Sequence, residues 1–240
     1  MRLQSALELI YPPQCVSCGA LVDCAFGLCG TCWRDTHFIS GLVCDCCGVP
    51  LPGEDSDPSL RCDDCMTLDR PWTRGRAAIV YKDNARRLVL ALKHGDRTEL
   101  AIPAAGWMLR AGAPILKPGM LVAPVPLHRF RLVRRRYNQS ALLSDRVAKG
   151  AGLDHCPDLL QRPRQTQSQD HKPAEQRFAN LTGAIRANPR RVDLIRGRHV
   201  LLIDDVMTSG ATLAAAACAC DAAGAEKVSV LVLARVAKEL

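Results

Sequence analysis

The chain has 240 residues, 48% of them apolar and only 4% aromatic, with a formal net charge of +8. That length suits one large domain, or a medium domain with a small one, and the core must be aliphatic and alanine-rich. No apolar run is long enough to span a bilayer. Residues 1–13, interrupted by Glu8, lack the apolar centre of a signal peptide, so a cytoplasmic protein is expected.

The charge is divided unevenly. Residues 1–70 carry four arginines, no lysine and ten acidic residues, and residues 71–240 carry the other 28 basic and 14 acidic residues. The balances are −6 and +14, which predicts two modules able to dock on each other. The boundaries expected are 1–70 and 76–240, with 71–75 as the linker.

Ten of the thirteen cysteines precede residue 66. Eight form Cys-x-x-Cys pairs, and without an export signal this is metal spacing rather than a disulfide framework. Two such pairs complete one tetrahedral thiolate site. Cys15, Cys18, Cys29 and Cys32 form the first expected site; Cys44, Cys47, Cys62 and Cys65 form the second. Cys18-Gly19 and Cys47-Gly48 repeat the same knuckle, so the segment reads as two small zinc ribbons in tandem. A complete set of four thiolates leaves no open position, so both Zn²⁺ sites are expected to be structural. An iron–sulfur cluster or redox thiols are the alternatives. Cys24 and Cys46 are surplus, and Cys46 lies where it could exchange with a ligand. Cys156, Cys218 and Cys220 read as small buried residues. The module is acidic, which favours protein contact over nucleic acid.

Beyond the linker, residues 77–81 read as a short strand and 84–93 as a helix closed by Gly95. A second helix is expected over 98–111 and a buried strand over 121–125. An arginine-crowded loop follows, with His128, Arg129, Arg131, Arg134, Arg135 and Arg136. A helix over 140–149 comes next. Residues 161–180 are long and polar enough to be a lid. A strand over 200–203, a helix over 211–223 and a strand over 228–234 complete the pattern. The alternation of strands and helices predicts an α/β fold with a doubly wound parallel sheet.

The strand expected at 200–203 runs into Asp204 and Asp205, and then into Thr208, Ser209, Gly210, Ala211 and Thr212. Ligands of parallel sheets bind beyond the carboxyl ends of the strands. Two adjacent carboxylates there can accept hydrogen bonds from neighbouring ribose hydroxyls. A glycine-containing turn leading into a helix offers amides, hydroxyls and a positive dipole end to a phosphate. The same residues would also serve as a plain Mg²⁺ site or a helix cap.

This stretch resembles the phosphoribosyl pyrophosphate (PRPP) motif of type I phosphoribosyltransferases. The whole chain resembles the ComF/GntX family, a double zinc ribbon joined to such a domain. The resemblance rests on Leu9-Ile-Tyr-Pro-Pro-Gln-Cys15, Ala91-Leu-Lys-His-Gly-Asp96, Val125-Pro-Leu-His128 and Arg135-Arg-Tyr-Asn-Gln-Ser140. It also rests on Thr166, Gln169, Arg177, Asn180 and Gly183-Ala184, and on the acid motif itself. Arg136 departs from it, since family members often carry glycine there.

The resemblance implies a type I phosphoribosyltransferase-like sheet that binds PRPP with Mg²⁺. Asp204 and Asp205 would be the catalytic and ribose-binding pair, and residues 208–212 the 5′-phosphate turn. Arg129, Arg135 and Arg136 are candidates for pyrophosphate, and Gln169 and Arg177 for the lid. Lys93 lies within reach of the site or caps its own helix. The resemblance also implies a link to natural competence and DNA uptake. Two functions follow: phosphoribosyl transfer to a nitrogen acceptor, or a DNA-uptake or DNA-processing accessory factor with a regulatory PRPP or nucleotide pocket. Single-stranded DNA and DNA-processing proteins are the candidate partners.

Overall fold

The computed structural model describes residues 11–53, 59–127, 137–163 and 183–237. Its centre is a five-stranded sheet of β1 (Arg74–Val80), β2 (Leu121–Pro124), β3 (Asp154–His155), β6 (His199–Met207) and β7 (Lys227–Arg235). The order is β1-β7-β6-β2-β3, and every pairing is parallel. A separate antiparallel pair joins β4 (Leu160–Gln161) to β5 (Arg186–Ala187). The helices are α1 (Gly30–Arg34), α2 (Asp63–Thr67), α3 (Asp83–His94), α4 (Ala101–Gly112), α5 (Gln139–Ala151), α6 (Val192–Ile195) and α7 (Ala211–Asp221). A single 3₁₀ turn, Thr98–Leu100, precedes α4.

The apolar strands are buried on both faces because helices cover both, as a parallel sheet requires. Leu121, Val200, Leu202, Val230 and Val232 face one layer, where α7 packs through Leu213, Ala216 and Ala217. Val122, Leu201, Ile203, Leu231 and Leu233 face the other, where α3, α4 and α5 contribute Leu92, Met108 and Leu143. Each such aliphatic side chain contributes about 1.5–3 kcal/mol on burial. Alanine on α7 lets that helix lie close to the sheet, which compensates for the scarcity of aromatics.

Several elements extend beyond the local sequence pattern. β6 does not stop at Ile203: Asp204 pairs with Val232, Val206 with Ala234 and Met207 with Arg235. The long neighbour β7 supplies ladder partners, and these outweigh the low strand propensity of aspartate. The short elements β3, β4, β5 and α6 have too few residues to show a period, so their sequence carries no signal.

The two cysteine segments repeat one design. Each knuckle turn closes through Gly19 N–H to Cys15 O, at 2.9 Å, or Gly48 N–H to Cys44 O, at 2.8 Å. Both glycines have positive φ, +80° and +71°, which a side chain would oppose. An isolated bridge follows each knuckle, Gln14 with Leu21 and Val43 with Pro50. A five-residue helix then starts just after a cysteine, α1 after Cys29 and α2 after Cys62.

The ribbons dock on opposite faces of the sheet. Val16 of the first belongs to the α3–α4–α5 layer, and Cys44, Cys46, Cys47 and Cys65 of the second belong to the α7 layer. Between them, residues 37–39 run along the outer edge of β1. Ile39 N–H donates to Ala78 O at 2.9 Å and Val80 N–H to His37 O at 2.8 Å, which covers an edge strand that would otherwise expose its backbone.

Residues 71–75 are not a free linker. Trp72 is buried, β1 already begins at Arg74, and Gly75 N–H donates to Asp45 O at 2.8 Å. The opposed charges of the two modules meet here. Asp45 accepts from Arg74 Nε at 2.9 Å and from Arg76 Nη2 at 2.8 Å.

Candidate functional site

Asp204 and Asp205 lie near the carboxyl end of β6, the central strand of the sheet. The chain then turns through Thr208, Ser209 and Gly210 into α7. Gly210 is the N-cap of that helix, with φ +81°. A Cβ there would stand 2.7 Å from Arg70 Nη1 and 3.1 Å from the Trp72 ring, so both the conformation and the space demand glycine. Asp204, Thr208, Ser209, Gly210, Ala211 and Thr212 line one small open pocket with Val206, Met207 and Leu213. Sequence-adjacent candidates thus converge on one concave surface, next to the first free amides of an 11-residue helix.

The two acids differ in their surroundings. Asp204 Oδ1 accepts from Ser140 Oγ at 2.8 Å and from the Asp205 amide at 2.9 Å. Asp205 is buried, and its Oδ1 lies 3.1 Å from Lys93 Nζ. Burial, with the Asp205 charge beside it, pushes Asp204 up to about 7. The Ser140 hydroxyl, the Asp205 amide and Lys93 act in the opposite direction. Asp204 therefore changes charge near neutral pH.

Residues 137–140, which the sequence marks as part of the family resemblance without a role for each side chain, build this environment. Asn138 caps α5, with its side chain accepting from Ser140 N–H at 3.1 Å, and its Nδ2 donates to Val125 O at 3.1 Å. Tyr137 OH donates to Leu92 O at 2.8 Å and Gln139 Nε2 to Lys93 O at 3.3 Å. Residues 137–140 thereby join the end of α3 to the end of β2 and place Lys93 and Ser140 against the acid pair. The N-cap asparagine is the physical signal for where this junction starts its helix. Lys93, in the last turn of α3, pairs with Asp205.

Arg129, Arg135, Arg136, Gln169 and Arg177 lie outside the described residues. The described chain resumes after the polar stretch at Gly183, and Ala184 packs against Ala211 at the start of α7. A cavity of about 540 Å³ lies at the opposite edge of the sheet, lined by Lys117, Arg198, His199 and Lys227 among others. It takes no part in this site, because the strand ends it touches are the amino ends.

The cysteine clusters fit zinc. In each, the four sulfurs all lie within 4.8 Å of one another. Cys18 and Cys29 sulfurs are 3.6 Å apart, and Cys47 and Cys62 sulfurs 3.7 Å. A tetrahedron with ~2.3 Å metal–sulfur bonds has edges of about 3.8 Å. Burial and the neighbouring sulfurs of Cys18 and Cys29 push Cys32 up to about 12. Only a metal would hold all four thiols deprotonated. Cys46 lies outside the second cluster and gives its carbonyl to Trp72 Nε1 at 2.7 Å.

Residues 6–66 match the double zinc ribbon domain and residues 143–239 the phosphoribosyl transferase domain. The DNA utilization protein YhgH of Salmonella typhimurium is 33% identical over 196 residues, covering 79% of this chain and 82% of that protein. The chain belongs to the ComF family. Competence protein F of Haemophilus influenzae is 27% identical over 244 residues, 92% of this chain and 96% of that one. Among solved structures, the glutamine PRPP amidotransferase from B. subtilis complexed with ADP and GMP is 15% identical with a TM-score of 0.40. That match covers 59% of this chain and 30% of the other, so the chain spans under a third of that protein. Among the described residues of this ComF-family chain, no helix is long and apolar enough to cross a membrane.

Proposed function

We propose that the protein binds PRPP with Mg²⁺ at the carboxyl edge of β6. The observation that carries this reading is the junction of Asp204 with the 208–212 turn and the α7 N-terminus in one pocket, with Asp205 buried directly behind it against Lys93. The turn would hold the 5′-phosphate through its amides and the hydroxyls of Thr208, Ser209 and Thr212. Asp204 and Asp205 would accept hydrogen bonds from the two ribose hydroxyls. A hard divalent cation suits the carboxylate oxygens here and would neutralise pyrophosphate as it departs. Lys93 would offset the charge of the acid pair. Departure of pyrophosphate from C1 needs positioning and charge stabilisation more than covalent help.

Arg129, Arg135 and Arg136 remain the proposed pyrophosphate contacts, with Gln169 and Arg177 on the proposed lid. Two described attachments support these assignments. Val125, just before the arginine segment, is tied to Ile203 and Asn138, and Ala184, just after the polar segment, packs on α7. These described flanking residues, Val125 and Ala184, therefore lie beside the acid motif.

The relatives' names, DNA utilization protein and competence protein F, support a biological role in DNA uptake or use. They favour a second reading, in which the pocket regulates a DNA-processing factor and transfers nothing. Calorimetric titration with Mg²⁺–PRPP, followed by a pyrophosphate-release screen over bases and amines, separates the two. Binding that disappears in Asp204→Asn/Asp205→Asn is expected. No heat with the wild-type protein would remove PRPP as the ligand. Release with one acceptor would establish a transferase, and binding without release a regulatory pocket.

A further inference from the structure

Two buried arginines connect the back of the 208–212 turn to the second zinc ribbon. Arg235, at the end of β7 and 4% exposed, donates from Nη1 to Thr208 O at 2.7 Å, to Met207 O at 3.3 Å and to Val236 O. Its Nη2 lies 3.9 Å from Cys47 Sγ. Arg70 donates from Nη1 to Ser209 O, and its guanidinium sits 5.3 Å over the Trp72 ring. Trp72 in turn donates to the carbonyl of Cys46, inside the knuckle of the second ribbon.

Three successive carbonyls, those of Met207, Thr208 and Ser209, are therefore held on one side. In a trans peptide the N–H of the next residue points opposite to the carbonyl. Fixing those carbonyls toward the arginines turns the amides of Thr208, Ser209 and Gly210 away from the ribbon, toward the pocket. The first ribbon is attached elsewhere. Its contacts run to Asn84 on α3, which donates to Cys32 O at 3.1 Å, and to Arg97, which donates to Val16 O at 3.3 Å.

We propose that the second ribbon is a working part of the phosphate site. With metal bound, its Cys46–Cys47 knuckle seats Arg235 and Arg70, and these positioning residues aim the turn's amides at a sugar 5-phosphate. Zinc at Cys44, Cys47, Cys62 and Cys65 holds the Cys47 sulfur as a thiolate, a fixed counter-charge for a guanidinium that is otherwise buried. Zinc at the first ribbon has no such effect. The identity of the ligand rests on the PRPP reading; the arrangement of the turn does not.

The test uses the full zinc-loaded chain, labelled with ¹⁵N, and ribose 5-phosphate as the probe. Three variants are compared with wild type: Arg235→Met, Cys62→Ser in the second ribbon and Cys18→Ser in the first. The readouts are zinc content, amide shifts of Thr208, Ser209 and Gly210, and the calorimetric Kd. Arg235→Met is expected to keep both zinc ions, move those amides and weaken the probe at least ~10-fold, the size of one lost charge-assisted bond. Cys62→Ser should do the same with one zinc lost. Cys18→Ser should lose one zinc yet leave the amides in place and Kd within about twofold.

Unmoved amides in Arg235→Met or in Cys62→Ser would overturn the proposal. So would an equal disturbance in Cys18→Ser, which would mean general loosening. If wild type ignores ribose 5-phosphate, the assignment of the turn to the 5′-phosphate falls while the amide shifts still decide the arginine link. Should Arg235→Met not fold, Arg70→Lys carries the test. It keeps the charge, loses the planar fork, and should move the Gly210 amide.

Discussion

Ser140 Oγ donates to Asp204 Oδ1 at 2.8 Å, tying the first turn of α5 to an acid that burial lifts to about 7. The bond favours the ionised carboxylate. Ser140→Ala should therefore raise the Asp204 pKa further. At pH 7 the affinity for Mg²⁺–PRPP should fall several-fold, and at pH 9 the gap to wild type should narrow. Calorimetry at the two pH values reads this; a gap independent of pH would assign Ser140 to packing alone.

The same raised pKa makes a stability prediction. Between the usual carboxylate value near 4 and about 7, the folded protein keeps the Asp204 proton and the unfolded chain has lost it. Stability from this group is full below that window and declines as pH rises through it. Asp204→Asn cannot ionise and escapes the decline. At pH 8 it should be more stable than wild type by on the order of 2 kcal/mol, after allowance for screening of a partly exposed group, and near equal at pH 4. Urea unfolding of both proteins across that range checks it, and the difference cancels the pH dependence of the cysteine clusters.

At Gly75 the backbone of the second ribbon lies close against the sheet. A Cβ there would stand 2.3 Å from Cys46 O and 2.8 Å from Val230 Cγ2. The first of these is backbone and has little room to yield. Gly75→Ala should cost roughly 1–3 kcal/mol by overpacking, seen as a lower thermal midpoint. It should also weaken ribose 5-phosphate binding, because the displaced knuckle carries Arg235 and Trp72 with it. A midpoint equal to wild type would show that the ribbon moves without cost.

The clusters should each bind one zinc ion, giving two per chain by elemental analysis. They should not release it alike. Cys44 and Cys47 are completely buried, whereas Cys18 is exposed. A colorimetric chelator should draw zinc in two phases, the first ribbon emptying before the second. A single phase would remove the difference, and a fast phase abolished by Cys62→Ser rather than Cys18→Ser would reverse the order.

If the regulatory reading holds, contact with DNA phosphates would come from the basic half of the chain. Binding of a single-stranded oligonucleotide should then weaken steeply with salt, as displaced counterions require. Asp204→Asn/Asp205→Asn should leave that binding intact. Filter binding at two salt concentrations suffices; loss of DNA binding in the double variant would place the DNA in the PRPP pocket.

The zinc knuckles and the acid motif were legible in the sequence because each is local. Four cysteines in two Cys-x-x-Cys pairs, or two aspartates followed by a glycine turn, state their chemistry within a short span. The sheet was legible for the same reason, since strands buried on both faces appear as unbroken apolar runs. The ends of β6 were not, because its last pairs depend on β7 rather than on its own residues.

The sequence by itself determined that the acid pair runs straight into a glycine turn and a helix, and which cysteines can share a metal. Only the tertiary structure decided which cations and hydroxyls serve them. Ser140 meets Asp204 across 64 positions, Arg70 meets Ser209 across 139 and Arg235 meets Cys47 across 188. A buried arginine or lysine looks like any surface charge until the fold removes water from around it. Its partner is then set by which strand ends the topology brings together, and no local pattern encodes that.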